Sequence, residues 1–193
     1  MNREVLSKYD VMTVGETPCT HEPEEIAAYV LPQNKELNMV FNFELMDIDA
    51  GPSPNSNPPT TITTSTSDTE VLIPLTYRPW RLSRLKHIIT KWQTYLRTAG
   101  FWNASYLSNH DHARCVSRFG DDSSAAWRRA SAQLLATMQT TLGGTLFVYQ
   151  GEEIGMGNFG KAWGVEEYKD VASVNYYNEC VFFFPSPSAQ MVE

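Results

Sequence analysis

Cysteine is scarce in this 193-residue chain, and its three copies, Cys19, Cys115 and Cys180, lie far apart and in no CxxC pair. That spacing argues against a disulfide framework and against a zinc knuckle. Long apolar runs are also missing: nothing approaches the roughly 20 residues needed to cross a bilayer. The opening MNREVLSKYD lacks the apolar centre of a signal peptide. A reduced, cytoplasmic setting is therefore the expectation. Positive charge is in deficit, with 15 Lys and Arg against 22 Asp and Glu, a net charge of −7. Neither nucleic acid nor an anionic membrane surface is an expected partner. A GxSxG nucleophile elbow, a phosphate loop and a dinucleotide fingerprint are absent as well.

What the sequence does contain is a core and a rhythm. The length suits one domain, and 42% hydrophobic with 12% aromatic residues describes a globular protein. Residues 10–15 (DVMTVG) read as a buried strand ending at Glu16. Residues 22–30 follow as a short helix with Pro23 and carboxylates in its first turn, and 37–45 (LNMVFNFEL) as a second strand. Leu82, Leu85, Ile89, Trp92 and Leu96 share one face of a helix expected over 79–96, with Gly100 to end it. A third strand is expected over 102–108, running into Asn109-His110-Asp111. A helix over 125–141, capped by Ser123 or Ser124 and stopped by Gly143-Gly144, then leads to a fourth strand over 145–149.

Strands alternating with helices predict an α/β fold with a parallel sheet. Four such strands cannot close a (β/α)8 barrel, so the chain is a small open sheet or a piece of something larger. Two segments break the rhythm. Residues 51–70 are almost wholly Pro, Ser, Thr and polar residues, and are expected to be a disordered insert. The tail, 179–193, sets Phe182-Phe183-Phe184 before a Pro/Ser run and continues no helical or strand period.

In a parallel α/β fold the functional face lies at the carboxyl ends of the strands. Glu16, Asp111 and the Glu152/Glu153 pair all stand there. Each acid alone reads more simply as a helix cap or a loop salt bridge. Together they suit glycoside hydrolysis, in which one carboxylic acid protonates the leaving oxygen and carboxylates support an oxocarbenium-like centre. The pair His110 and His112 could hold a metal, but the only other histidines, His21 and His87, give no further ligand set, so no metal is expected.

These segments resemble the α-glucosidases (maltase, isomaltase and oligo-1,6-glucosidase type) of the α-amylase superfamily. Residues 12–16 (MTVGE) are similar to the fifth barrel strand and its general acid/base. Residues 106–111 (YLSNHD), with Arg114 and 117–121 (SRFGD), are similar to the seventh-strand segment, and 144–156 (GTLFVYQGEEIGM) to the eighth strand and its loop. The resemblance implies part of a (β/α)8 barrel, roughly strands 5 to 8, formed by 1–50 and 71–178. It implies Glu16 as acid/base and Asp111 as transition-state stabiliser. His110 would bind the same sugar, Arg114 would fix that cluster, and Phe43 and Asp47 would border the leaving-sugar site. Glu152 and Glu153 would support the eighth-strand loop rather than react. The implied partner is an α-glucoside oligosaccharide, and no metal or organic cofactor is required. Two family motifs do not occur here: the fourth-strand Asp nucleophile with an Arg two residues before it, and the earlier Asp-x-x-x-Asn-His. A fragment of a retaining enzyme, inactive alone and self-associating through open sheet edges, is one reading. A non-catalytic relative acting in binding or assembly is the other.

Overall fold

The computed structural model describes residues 2–18, 20–52, 72–160 and 163–183. They fall into two compact units, Met1–Asn158 and Phe159–Glu193. The first unit opens with a single 3-10 turn, Leu6–Lys8, before strand β1, Val14–Thr17. Helix α1, Pro23–Val30, follows; Pro23 occupies a first-turn position where its missing N–H is no loss, and Glu24 and Glu25 sit at the positive helix end. Ile26 and Val30, one turn apart, are buried on its inner face. Strand β2, Met39–Asn42, then pairs with β1 in parallel, placing Glu16 opposite Phe41 and Thr17 opposite Asn42.

Past β2 a tight series of turns leads to β3, Ala50–Pro52, which pairs antiparallel with β4, Leu72–Tyr77, across a register shift between Ala50 and Gly51. The expected disordered insert, 51–70, thus begins inside a strand: the backbone at 51 and 52 is paired with 73 and 72. The remainder of that insert, 53–70, lies outside the described residues. Helix α2, Leu82–Thr98, starts three residues later than Pro79 suggests, because Arg81 is still extended. Its buried stripe also differs. Leu85, Ile88 and Trp92 are buried, whereas Leu82 stands 57% exposed; the side chain of Leu96 lies outside the described residues. Gly100 ends the helix in the left-handed region at φ +76°.

Strand β5, Ala104–Ser105, is shorter than the run 102–108 that predicted it. After the turn at 109–114 comes α3, Cys115–Phe119, and then α4, Ala125–Thr140, whose cap is Ser124: its hydroxyl accepts from the Trp127 N–H at 3.2 Å. Strand β6, Thr145–Leu146, pairs with β5 in parallel. Gly144, just before it, has φ +120°, and a Cβ there would come within 2.5 Å of the Asn103 carbonyl oxygen. Only glycine fits that approach. In the second unit, α5, Val171–Phe183, carries the helix through residues where no helical period is legible; the tail beyond 183 lies outside the described residues.

The four strands that matter lie in the order β1, β2, β5, β6, but as two parallel pairs rather than one continuous ladder. At the seam the Tyr106 hydroxyl donates to the Asn42 carbonyl at 2.7 Å, supplying the bond that a two-residue strand cannot. Ile26, Val30, Val40, Leu85, Ile88 and Trp92 pack into one core beneath α1 and α2. A second, around Leu107, Val116 and Leu135, sits beneath α3 and α4.

One ion pair joins these halves. Arg118 of α3 donates from Nε to Asp49 Oδ2 at 2.7 Å and from Nη2 to the other carboxylate oxygen and to the Met46 carbonyl. The side chains are only 5% and 12% exposed. Removing one partner of such a pair strands the other charge in the interior. Asp49→Ala is therefore expected to lower stability by about 3–5 kcal/mol in urea unfolding. Glu4→Ala, which breaks the exposed Arg3–Glu4 pair, should leave the unfolding midpoint unchanged.

Candidate active site

The carboxyl ends of β1, β2, β5 and β6 open on one side of the sheet. A pocket of about 210 Å3 lies there, lined by Glu16 near the end of β1, by Phe41 and Phe43 from β2 and its exit, and by 108–110 and 147–149 beyond β5 and β6. Its wall is aromatic. Phe41 meets Tyr106 edge-on at 4.9 Å between centroids and Phe147 at 4.6 Å. Such rings present flat apolar faces while remaining fixed by one another.

Glu16 is exposed on this pocket, and its carboxylate makes no hydrogen bond or ion pair among the described residues. His110 also lines the pocket and is largely exposed. Its Nε2 lies 3.4 Å from Asp111 Oδ1, and the Asp111 side chain is 51% exposed. Phe43, by contrast, is 8% exposed and serves the core as much as the pocket. The structure thus gathers Glu16, Phe43 and His110 on one cavity, with Asp111 beside His110.

Asp47 and Arg114 are placed differently. Asp47 Oδ2 lies 2.9 Å from His21 Nε2, and this contact ties the loop after β2 to the loop after β1. Arg114 stacks its guanidinium over the Tyr149 ring at 4.9 Å and donates to the Gln150 carbonyl. Its backbone N–H donates to Asn158 Oδ1 at 2.8 Å. The bonds of Arg114 therefore hold the loop after β6, not the His110–Asp111 pair. The acids of that loop are occupied as well. Glu152 accepts from the Tyr149 N–H at 2.7 Å and Glu153 from the Gly151 N–H at 2.8 Å.

Burial pushes the Tyr106 phenol well above its ordinary range, and the Asp47 and Glu16 carboxylates reinforce the shift. The hydroxyl stays a donor, as its bond to Asn42 requires. His112 moves the other way: burial first, then the Arg118 charge, lowers its pKa, against the pull of Asp47, Asp111 and Asp49. The Cys115 thiol is raised by burial. Among the described residues no group of three or more His, Cys, Asp or Glu side chains is arranged to hold a metal ion.

Four residues of this rim carry structure that sequence reasoning did not assign to them: His21, Tyr106, Asn109 and His112. Tyr106 and Asn109 stand inside the motif that marks Asp111. His21 has no local signal, since its partner lies 26 residues on.

The His112 shift has a stability consequence. A histidine with a folded pKa below its unfolded value of about 6.5 binds protons more readily when unfolded. Its contribution is complete above that value and is lost as pH falls through it toward the lower folded pKa. Wild-type protein should lose stability relative to His112→Gln between pH 7 and 5, read as a converging pair of urea midpoints.

Comparison with known proteins shows the family. The family described as "Alpha amylase, catalytic domain" matches residues 1–179. The oligo-1,6-glucosidase of Parageobacillus thermoglucosidasius is 45% identical over 193 residues, which is 100% of this chain and 30% of that protein. The oligo-1,6-glucosidase of Bacillus cereus is 42% identical over 181 residues, 94% of this chain and 28% of the relative. Among solved structures, trehalose-6-phosphate hydrolase of Bacillus licheniformis superposes with a TM-score of 0.73 at 37% identity, covering 96% of this chain and 29% of that one. The chain therefore spans less than a third of the length of the relatives it matches. With the family match running from the first residue through the loop after β6 and into α5, the chain belongs to the α-amylase catalytic-domain family.

Proposed function

We propose that this chain forms the acid-and-stabiliser half of the catalytic barrel of a retaining α-glucosidase. Residues 1–50 and 71–178 would correspond to barrel strands 5 to 8 with their helices, interrupted by the insert 51–70 and followed by the tail 179–193. Its substrate is terminal α-linked glucose on a maltose- or isomaltose-like oligosaccharide, in a cytoplasmic setting. The observation that carries this reading is the strand-end pocket, where an unengaged Glu16 carboxylate shares a cavity with His110 and an aromatic wall.

In this reading Glu16 protonates the glycosidic oxygen as the bond breaks and later takes a proton from the attacking water. Asp111 holds sugar hydroxyls and stabilises the positive charge that develops at the ring, and His110 binds the same sugar. Phe43 and Asp47 border the leaving-sugar side. Arg114 braces the rim through the loop after β6. The proton passes from Glu16 to the leaving oxygen, and the glycosyl group passes to a nucleophilic carboxylate and then to water, so neither metal nor organic cofactor is required. A retaining mechanism also needs a nucleophilic carboxylate roughly 5 Å from the acid. Asp47 and Asp49 are engaged by His21 and Arg118, and the nucleophile is assigned to a part of the enzyme outside this chain. The same lack supports the second reading, a non-catalytic relative that keeps the fold for binding or assembly.

A graft separates the two. Residues 1–193 would replace the matching segment of the P. thermoglucosidasius relative, and p-nitrophenyl α-glucoside hydrolysis would be followed. Activity is expected, falling about 10²–10⁴-fold on Glu16→Gln. A folded but inert graft favours the non-catalytic reading, and an active graft indifferent to Glu16→Gln refutes the acid assignment. The 193-residue chain alone should give no turnover.

Self-association is the second expectation. Val11 and Met12 beside β1 are 50% and 60% exposed, and Leu146 and Val148 at β6 are 41% and 54% exposed. Each of these strands has a ladder on one side only among the described residues. Free edges flanked by apolar side chains invite pairing. Sedimentation velocity should show dimers or larger species; a monomer at tens of micromolar would sink this proposal.

A further inference from the structure

The turn that carries Asp111 is organised around a single oxygen. Asn109 Oδ1 receives the Asp111 backbone N–H at 3.1 Å and lies 2.9 Å from His112 Nδ1. The Asp111 amide can only donate, so the atom it meets is the carboxamide oxygen and not the nitrogen. That oxygen can only accept, so His112 Nδ1 must carry a hydrogen. The other ring nitrogen, Nε2, is fully buried and meets no hydrogen-bond partner among the described residues. A hydrogen there would be a buried donor without an acceptor, a costly arrangement; a bare lone pair costs less. Both ring atoms therefore favour one form.

We propose that Asn109 and His112 are a positioning pair: Asn109 locks His112 as the neutral Nδ1–H tautomer and fixes the backbone at Asp111. In a free histidine side chain the Nε2–H form is the usual one, so the assignment is a specific claim. The groups around His112 are Arg118 on α3, Asp47 and Asp49 beyond β2, Asp111 on its own turn, and the Phe43 ring at 6.4 Å. The imidazole thus lies between the Asp111 turn and the loop after β2, and the shared oxygen ties its ring to the Asp111 amide. That Asp111 is a sugar-holding acid rests on the proposed function; the tautomer and the turn do not.

The experiment is long-range 1H–15N correlation on the histidine rings of the uniformly labelled chain at pH 8. His112→Gln identifies the His112 signals, and His21→Gln, His87→Gln and His110→Gln identify them by elimination where that variant fails to fold. The expected result is a pyrrole-type Nδ1 and a pyridine-type Nε2. Asn109→Asp keeps an acceptor oxygen and should retain that pattern. Asn109→Ala should lose it and let the Asp111 amide exchange about tenfold faster with deuterium, with the α4 amides unchanged. An Nε2–H or averaged ring in the wild type overturns the proposal, as does an Asn109→Ala variant with both readouts unaltered. None of these readouts involves turnover, so a graft lacking glucosidase activity would count against the function and not against the pair.

Discussion

The guanidinium of Arg118 is the charge on which the arrangement of the rim depends. Taking it out of water is costly, and the cost is recovered only because Asp49 meets it with both oxygens and the Met46 carbonyl takes a further N–H. These partners fix two pieces of chain that have no ladder between them. One is the series of turns after β2, with Met46 and Ile48 each 1% exposed; the other is α3, with Val116 equally buried. Asp47 lies between Met46 and Asp49, and Asp111 a few residues before α3. A well-packed apolar pair of the same volume would cost less to bury, but it would not select one orientation. The bidentate fork does, and with it the separation of the two loops.

The same logic runs around the rest of the rim, where strands end and backbone groups lose their partners. The Lys91 ammonium donates to the His21 carbonyl at 2.8 Å and meets Glu44 at 2.8 Å, and Glu44 also accepts from Trp92 Nε1. Gln139, buried on α4, donates to the Phe147 carbonyl at 2.9 Å. Polar side chains from the helices thus finish what very short strands leave undone. Against this background Glu16, His110 and Asp111 differ: they are exposed, and their side chains brace nothing on the rim. Under the proposed function, their exposure leaves them free to meet the substrate.

Local patterns made a good part of this legible. Apolar runs lead to the right neighbourhoods, although β1 covers Val14–Thr17 and not 10–15, and β5 ends at Ser105, short of the Asn109-His110-Asp111 turn; Ser124 and Gly100 mark helix limits by cap chemistry. The pairing of the strands was less accessible. Residues 102–108, with Trp102, Tyr106 and Leu107, and residues 145–149 (TLFVY) read as full strands, yet only 104–105 and 145–146 form a ladder. The start of α2 was misplaced because Pro79 is acceptable in a first turn, while the extended backbone at Arg81 answers to β4 and Trp80 packing on Phe119. Arg118 with Asp49 and His21 with Asp47 lie 69 and 26 residues apart, and no period or spacing couples them. Arg114 shows the limit of resemblance: the motif supplies the residue, but its bonds go to the loop after β6.

Glu44 is held by Lys91 and Trp92, Asp47 by His21, Asp49 by Arg118, and Glu152 and Glu153 by backbone N–H groups of their own loop. A carboxylate whose oxygens are taken by a cation or by fixed donors is poorly placed to accept a glycosyl group. Glu16 makes no hydrogen bond or ion pair among the described residues, and Asp111 only approaches His110. Under the proposed function, then, the pocket has one acid free to exchange a proton and, beside it, one free to hold hydroxyls, while Glu44, Asp47, Asp49, Glu152 and Glu153 are already engaged. Supplying a nucleophile from within would require breaking a contact that holds the rim together. A carboxylate brought from outside, against the open side of β1, would leave all of them intact.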